Sequence, residues 1–427
     1  MSPVVSNATP VPLWREPTRP QWISFIAAWL GWVLDAFDFT IFLLVMPRIA
    51  KDFHVTITAT AWTVTLTLLL RLVGGVIAGA AADRWGRKLP LMIAVVWFAV
   101  CDGAIAFAPS FTAVLVLRTL FGLGMGAEWA SGTTLAMENW PARSRGIASG
   151  VLQGSWAIGY FLAAQAARFV LQGDGSWRTL FLIAAAPAIL VLPIRIWVPE
   201  SLVSHAAPVV SGSAGRLESK EMWRRIGWGS FYVALAFSGY YAISAIYPTL
   251  LTKELHMASN ESSNLVSLFN VGMLIGAIGS GYLASRWSPP QAILLSSVAT
   301  LFVLPVYVGW VPSQMALGAF FGGMFGGGYA GVMPLLLTQM FPARVRARAA
   351  GFVFHIGACF AAFAPTLIAD LAEHHGLTFA QSIAGVTGAL QLTLALALVL
   401  RPKNVFDAVE TEEPAGFSVG SQRVELA

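Results

Sequence analysis

Apolar residues along this chain follow neither the period of a strand nor the single stripe of an amphipathic helix. They come in blocks, separated by short stretches rich in Pro, Gly, Arg and Asp. A block of about twenty apolar residues, coiled as a helix, crosses the hydrocarbon layer of a bilayer. Twelve such blocks are predicted, at 23–47, 59–82, 90–108, 111–135, 147–171, 178–197, 227–251, 263–285, 290–310, 315–340, 350–371 and 379–400. No water reaches the lipid interior, so every backbone amide there must be satisfied within its own segment, and each block is expected to be a helix. The pattern predicts an all-α membrane protein with twelve transmembrane helices.

Composition narrows the class. Of the 427 residues 57% are hydrophobic and 11% charged, less than half the ~25% charge of a soluble domain. The 40 glycines and 16 tryptophans suit close helix packing and interfacial anchoring. A basic balance in a soluble protein would suggest nucleic acid, but here the basic residues follow the loops. Arg15, Arg19, Arg84, Arg87, Lys88, Arg143, Arg145, Arg195, Arg216, Lys220, Arg224, Arg225, Arg286, Arg344, Arg346, Arg348, Arg401, Lys403 and Arg423 fall on the N-terminal side of the bilayer. Only Arg48, Lys51, Arg168, Arg178 and Lys253 fall on the other. Positive charge stays in the cytoplasm, so both termini are expected there. The surface partner is then the lipid bilayer, with no nucleic acid. The opening stretch, with Pro3, Pro10, Pro12, Pro17 and Pro20, has no apolar core of the kind a cleaved signal peptide needs. Cys101 and Cys359 lie inside apolar blocks, so no disulfide framework is expected.

The chain echoes itself. Pro141-Ala-Arg-Ser-Arg leads to Gly150, and Pro342-Ala-Arg-Val-Arg leads to Gly351 at the same spacing. Each follows a Gly-rich block, Gly122/Gly124/Gly126 in one case and Gly326/Gly327/Gly328 in the other. The expected organisation is a tail (1–21), a six-helix half (22–198), a cytoplasmic linker (199–225), a second six-helix half (226–401) and a second tail (402–427). A surface helix is expected near Leu217–Arg225. Paired halves suit a machine that rocks about a site at the midplane.

Charges inside apolar blocks are costly and are retained mainly for function. Asp35 lies near the middle of the first block, about 18 Å in at ~1.5 Å per residue, and Asp38 follows at i+3 on the same face. The pair is a candidate proton site, or a buried pair satisfied by a neighbouring Arg. Arg71 comes to the same depth in the second block, preceded by Thr60, Thr63 and Thr67 at helical spacing. Its guanidinium fork suits a carboxylate, either a substrate's or that of Asp35 or Asp38. Glu128 is a candidate second proton stop, and Asp102 either a packing partner or a ligand. The second half offers neutral polar groups, Tyr240, Tyr241, Asn270 and His355, which suggests that the first half handles protons while the second shapes a substrate site. Tyr247-Pro248 is a candidate bend. No metal-ligand cluster, nucleophile elbow or phosphate loop appears, so neither an enzyme nor a cofactor is expected.

The loop Gly79-Ala-Ala-Ala-Asp83-Arg84-Trp-Gly86-Arg87-Lys88 resembles the signature between helices 2 and 3 of the major facilitator superfamily, and Arg118-x-x-x-Gly122-x-Gly124-x-Gly126 resembles its helix 4 motif. The resemblance spans the chain and implies the major facilitator fold. Trp29-Leu-Gly-Trp-Val-Leu-Asp35-Ala-Phe-Asp38 is similar to the proton symporters of sialate, lactate and aromatic acids. Gly126-Ala-Glu128-Trp and Glu138-Asn-Trp-Pro141 lean towards the sialate/monocarboxylate branch, and Ala36 stands where the aromatic-acid branch usually has Gly. The resemblance implies proton-coupled symport of a small organic acid by a monomer in a bacterial inner membrane. Proton coupling is expected at Asp35, Asp38 and Glu128, and substrate contacts at Arg71, Arg118, Tyr241, Asn270 and His355. Gly79, Asp83, Arg84, Gly86 and Arg87 would latch the halves. Arg118 would lie near the proton path, with snorkelling to the headgroups as the alternative. The rivals are an aromatic-acid:proton symporter, a multidrug:proton antiporter and a non-transporting membrane sensor. The fifth block, Gly154-Ser-Trp-Ala-Ile-Gly159, lacks the Gly-Pro pair usual in the antiporters.

Overall fold

The first predicted block folds as a helix of 34 residues, α1 (Arg19–Asp52), in a computed structural model that describes residues 16–85, 88–138, 140–141, 143–171, 175–186, 219–342, 346–402 and 405–406. At ~1.5 Å per residue α1 is about 51 Å long, so both its ends stand clear of the hydrocarbon layer. It starts where Thr18 donates its backbone N–H to Gln21 Oε1 at 2.7 Å, which closes the first turn. The first half continues with α2 (Ile57–Trp85), α3 (Lys88–Ile105), α4 (Phe111–Glu138), α5 (Arg145–Val170) and α6 (Trp177–Ala186). The second half has α7 (Ser219–Ser244, then Tyr247–Thr249 and a π-turn over Leu250–Glu254) and α8 (Ser259–Arg286). It goes on with α9 (Pro289–Tyr307) and α10 (Met315–Gly326, a 3₁₀ stretch over Gly328–Val332, then Met333–Met340). α11 (Arg346–Ala361, then Phe363–His374) and α12 (Phe379–Val399) complete it. Among the described residues nine helices are long and apolar enough to cross a membrane, and three shorter apolar ones, Met92–Ile105, Phe111–Gly126 and Trp177–Ala186, accompany them.

The interruptions fall where the sequence removes backbone donors or adds freedom. α7 stops at Ser244 and restarts at Tyr247 with Pro248 in its first turn, the bend expected there. α10 loosens at Gly326–Gly328, and α11 breaks at Ala362 just before Pro365. α7 also begins earlier than its apolar block, inside the stretch expected to be linker. Glu221 pairs with Arg224 at 2.8 Å and Arg225 at 3.0 Å, the i,i+3 and i,i+4 spacings that extend a helix into water. Arg225 also donates to the Met340 carbonyl at 3.1 Å, tying that first turn to α10.

The halves meet along three seams: α5 runs along α8, α2 along α11, and the end of α10 sits against α4 and α5. Close approach along the first seam requires glycine. A Cβ on Gly150 would lie 2.5 Å from the Ala277 carbonyl oxygen, and one on Gly281 would lie 2.6 Å from that of Gly146. Such backbone-to-backbone contact is how helices associate where lipid removes the hydrophobic drive. Ser149 of α5 then donates to the Gly331 carbonyl at 2.8 Å and accepts from the Leu335 amide at 3.2 Å. At the opposite end Gln165 donates to Ser267 at 2.6 Å. The same two helices, α5 and α8, therefore touch towards both ends of the bundle. Exposed Val76, Ile77, Val100, Phe302 and Leu396 face outwards, as lipid contact requires.

Candidate functional site

A small cavity of about 30 Å³ lies between the halves near mid-bundle. Trp32 on α1, Arg71 on α2, and Gln153 and Trp156 on α5 form one wall. Phe237, Tyr240 and Tyr241 on α7, Met273 on α8, Ala330 on α10 and Phe354 on α11 form the other. Arg71, the one cation among the described lining residues, is 2% exposed, and its Cζ sits 5.3 Å from the Trp32 ring centroid and 5.5 Å from that of Phe354. Each ring offers its negative face to the guanidinium. Arg71 also lies close enough to Tyr241 and His355 to act on them electrostatically.

The aromatic wall is braced rather than loose. Trp156 donates its Nε1–H to the Tyr240 hydroxyl at 2.7 Å, a bond that crosses the halves. Tyr160 donates to the Ser244 carbonyl at 3.2 Å, also across the halves. Trp32 packs on Trp156 at 5.4 Å and Phe237 on Phe354 at 4.7 Å, edge-on. Gln153 Oε1 accepts no hydrogen bond from the described residues. Chemically this is an aromatic-lined site that holds a cation, Arg71, together with the polar groups of Gln153, Tyr240 and Tyr241.

A second charged centre lies beside it within the first half. Arg118 on α4 and Asp102 on α3 form an ion pair of 3.0 Å, the two side chains 1% and 0% exposed. Arg118 also donates to the backbone carbonyls of Asp38 and Phe39, both at 3.4 Å, and feels the Asp38 carboxyl electrostatically. Its Cζ stands 4.2 Å from the Phe121 ring centroid and 5.1 Å from that of Phe42. Asp35 and Asp38 are 0% and 1% exposed. The Phe39 ring joins the two centres, packing on Trp156 at 5.8 Å and on Tyr241 at 6.0 Å.

The sequence pattern of the Major Facilitator Superfamily matches residues 28–241 and 229–423. The chain belongs to the major facilitator superfamily. Superfamily proteins of this kind are transporters, not enzymes. The chain is 30% identical to a probable 4-methylmuconolactone transporter of Cupriavidus pinatubonensis, over 85% of this chain and 87% of that protein. It is 28% identical to the sialic acid transporter NanX of Escherichia coli (85% and 90% covered) and 29% identical to the cis,cis-muconate transport protein of Acinetobacter baylyi (82% and 87%). In fold it resembles the partially occluded, inward-open xylose transporter XylE of E. coli, with a TM-score of 0.71 at 18% identity, covering 90% of this chain and 98% of that one.

Against this superfamily frame, the residues singled out from the sequence fall in different places. Arg71 and Tyr241 line the cavity, on facing walls. Arg118 lies outside it and is held by Asp102 in the interior of the first half, so it does not snorkel to the headgroups. Asn270 is buried on α8, one turn before Met273; its amide donates to the Val266 carbonyl at 2.8 Å, and it does not reach the lining. His355 sits beside the lining residue Phe354 and on the α2–α11 seam, where a Cβ on Gly75 would lie 2.8 Å from its Nε2. Gly86 and Arg87 of the expected latch lie outside the described residues; Gly79, Asp83 and Arg84 fall in the last turns of α2, and Glu128 falls in α4. The sequence reading did not single out Trp32, Gln153, Trp156, Phe237, Met273 or Phe354, and it left the role of Asp102 open. One signal for part of this set was present: Gln153 and Trp156 share a face at i,i+3 with Tyr160 at i+7.

Proposed function

We propose that this chain is a proton-coupled symporter of small, flat organic carboxylates, aromatic or conjugated, working by alternating access. The observation that carries the reading is the guanidinium of Arg71, set between the rings of Trp32 and Phe354 in an aromatic-lined site made by both halves. A planar carboxylate matches it part by part. Its anion takes the fork of Arg71 with two charge-assisted hydrogen bonds, while its plane lies among the rings. A polyhydroxylated acid fits less well. Each hydroxyl taken from water without a partner costs about 1–3 kcal/mol, and with the Tyr240 hydroxyl already bonded to Trp156 the described lining leaves chiefly Gln153 and Tyr241 to receive several of them. The relatives named for muconate and 4-methylmuconolactone support the flat class, and the one named for sialic acid supports the wider class of organic acids.

Proton coupling is assigned to the arginine beside the cavity and the acids around it. Asp38 and Asp102 bracket Arg118, so one cation holds two carboxylates in a medium where each uncompensated charge is costly. Protonating either acid leaves Arg118 to the other, and the change is felt at Phe39, whose carbonyl Arg118 holds and whose ring supports the cavity wall. Asp35 and Glu128 remain candidates for the path by which the proton arrives and leaves. With both termini cytoplasmic, in the inner membrane of a bacterium, the inward proton gradient drives uptake. One chain supplies both walls, so a monomer suffices.

The test is counterflow in proteoliposomes, with labelled benzoate or cis,cis-muconate exchanged against a panel of unlabelled acids. Saturable exchange with flat carboxylates, accelerated by an inward proton gradient in net uptake, is expected. Exchange of sialate or lactate with none of the flat acids, or of cationic drugs alone, would refute the reading.

A further inference from the structure

At the end of the bundle where α2 begins and α11 ends, one carboxylate joins the halves, in addition to the Gln165–Ser267 and Arg48–Ser259 contacts there. Glu373, 16% exposed at the end of α11, accepts from the Ile57 amide at 3.0 Å through Oε1. Through Oε2 it accepts from the Thr58 amide and the Thr58 hydroxyl, both at 2.8 Å. Lys253 of α7 approaches the same carboxylate at 3.6 Å. An α-helix begins with four amides that have no partner in the helix. In α2 the third, Ala59, donates to its own Thr56 hydroxyl at 3.0 Å, and the fourth, Thr60, to the Thr56 carbonyl at 3.2 Å. The first two are satisfied by an acid belonging to the other half of the protein, placed where the helix dipole favours negative charge.

The same device appears once more, but inside one half. Glu254 at the end of α7 accepts from the Phe379 and Ala380 amides at 2.5 and 3.3 Å, capping α12. There it joins two helices of the second half. Glu373 instead joins helices of opposite halves, on a segment that is already a separate piece, because α11 breaks at Ala362. Directly below, Thr65 of α2 donates to the Ala362 carbonyl at 2.8 Å and shares a 2.8 Å hydrogen bond with the Thr366 hydroxyl. The outer part of the α2–α11 seam thus carries polar contacts, beside the Trp62–Phe363 ring pair. All of the polar contacts involve groups that water can satisfy when the seam parts, so it can open without stranding a buried amide.

We propose that Glu373 is the latch of the outer gate: its carboxylate on the N-terminus of α2 holds the cavity shut towards the outside, and its release is the opening step. This rests on the alternating-access reading and the orientation given above, but not on which acid is carried. The test is labelling of Thr366→Cys, buried on this seam, by a membrane-impermeant maleimide added outside intact cells, with Cys101 and Cys359 replaced by Ala. No substrate is present, so the result is independent of substrate identity. Glu373→Ala is expected to raise the labelling rate at least about tenfold, the equivalent of losing one charge-assisted hydrogen bond. Glu373→Gln, which keeps an acceptor but not the charge, should fall between that and the parent. Lys253→Met, which leaves the α2 cap intact, should change labelling by less than about threefold, about 0.6 kcal/mol. Unchanged labelling in both Glu373 variants, with the purified chains monodisperse and melting within a few degrees of the parent, would overturn the proposal. Should Glu373→Ala fail to fold, the Gln variant alone decides, since its shape is conserved.

Discussion

Replacing Arg71 with lysine separates a substrate clamp from a structural charge. Lysine keeps the cation at nearly the same depth but loses the planar fork and with it the second of two parallel hydrogen bonds to a carboxylate. A hydrogen bond to a charged group contributes about 1.5–3 kcal/mol. The guanidinium also faces two rings, Trp32 at 5.3 Å and Phe354 at 5.5 Å; a desolvated cation–π contact is worth about 0.5–2 kcal/mol, and an ammonium recovers part of it. The balance is a loss of about 2–3 kcal/mol in substrate binding, which weakens half-saturation by about 30- to 140-fold. The assay is counterflow of labelled benzoate or muconate in proteoliposomes, across a concentration series wide enough to reach saturation at both affinities. If Arg71 serves only to neutralise acids within the fold, lysine keeps that charge and half-saturation stays within about threefold of the parent, about 0.6 kcal/mol. That result, from a protein that purifies monodisperse, would refute the clamp.

Other outcomes follow from contacts of the same kind. Asp102→Asn breaks a fully buried ion pair, which costs about 3 kcal/mol or more, so the melting temperature should fall, and proton-driven accumulation should be lost while counterflow persists; retained accumulation at parental pH dependence would remove Asp102 from the proton site. Gly150→Val places its Cβ 2.5 Å from the Ala277 carbonyl oxygen, whereas Gly227 has nothing within 4 Å. Overpacking costs about 1–3 kcal/mol, so transport by Gly150→Val should drop at least tenfold, and Gly227→Val should transport like the parent. Competition against labelled muconate should rank flat carboxylates above sialate by at least about tenfold, the weight of one unsatisfied hydroxyl or so; sialate competing as well as benzoate would defeat the preference for flat acids.

How far these features are legible in the sequence depends on which physical rule each obeys. The twelve blocks are plain because the bilayer imposes a length and leaves the backbone no alternative to helix. Arg71 stands out because a charge at mid-membrane is expensive wherever its neighbours lie, and Tyr247-Pro248 because proline breaks a helix without help from tertiary structure. The echo of Gly150 in Gly351 exposes the halves, but not that Gly150 presses on Ala277. The aromatic wall is hidden for a reason that follows from lipid as solvent. Trp32, Trp156 and Phe354 lie on mainly apolar helices, where a few polar residues hint at an inner face but nothing marks which rings meet across the halves. The Asp102–Arg118 pair needs the relative register of α3 and α4, and that is fixed by side-chain packing rather than by either helix alone. Glu373 is hidden most deeply. In Asp370-Leu-Ala-Glu373-His-His it reads as one more solvated charge at a helix end, and nothing local says that its partners are two amides of α2. Those amides are owed a partner by every helix that begins. Asking who satisfies them is therefore the one route from backbone accounting to the gate, and here the answer comes from the other half of the molecule.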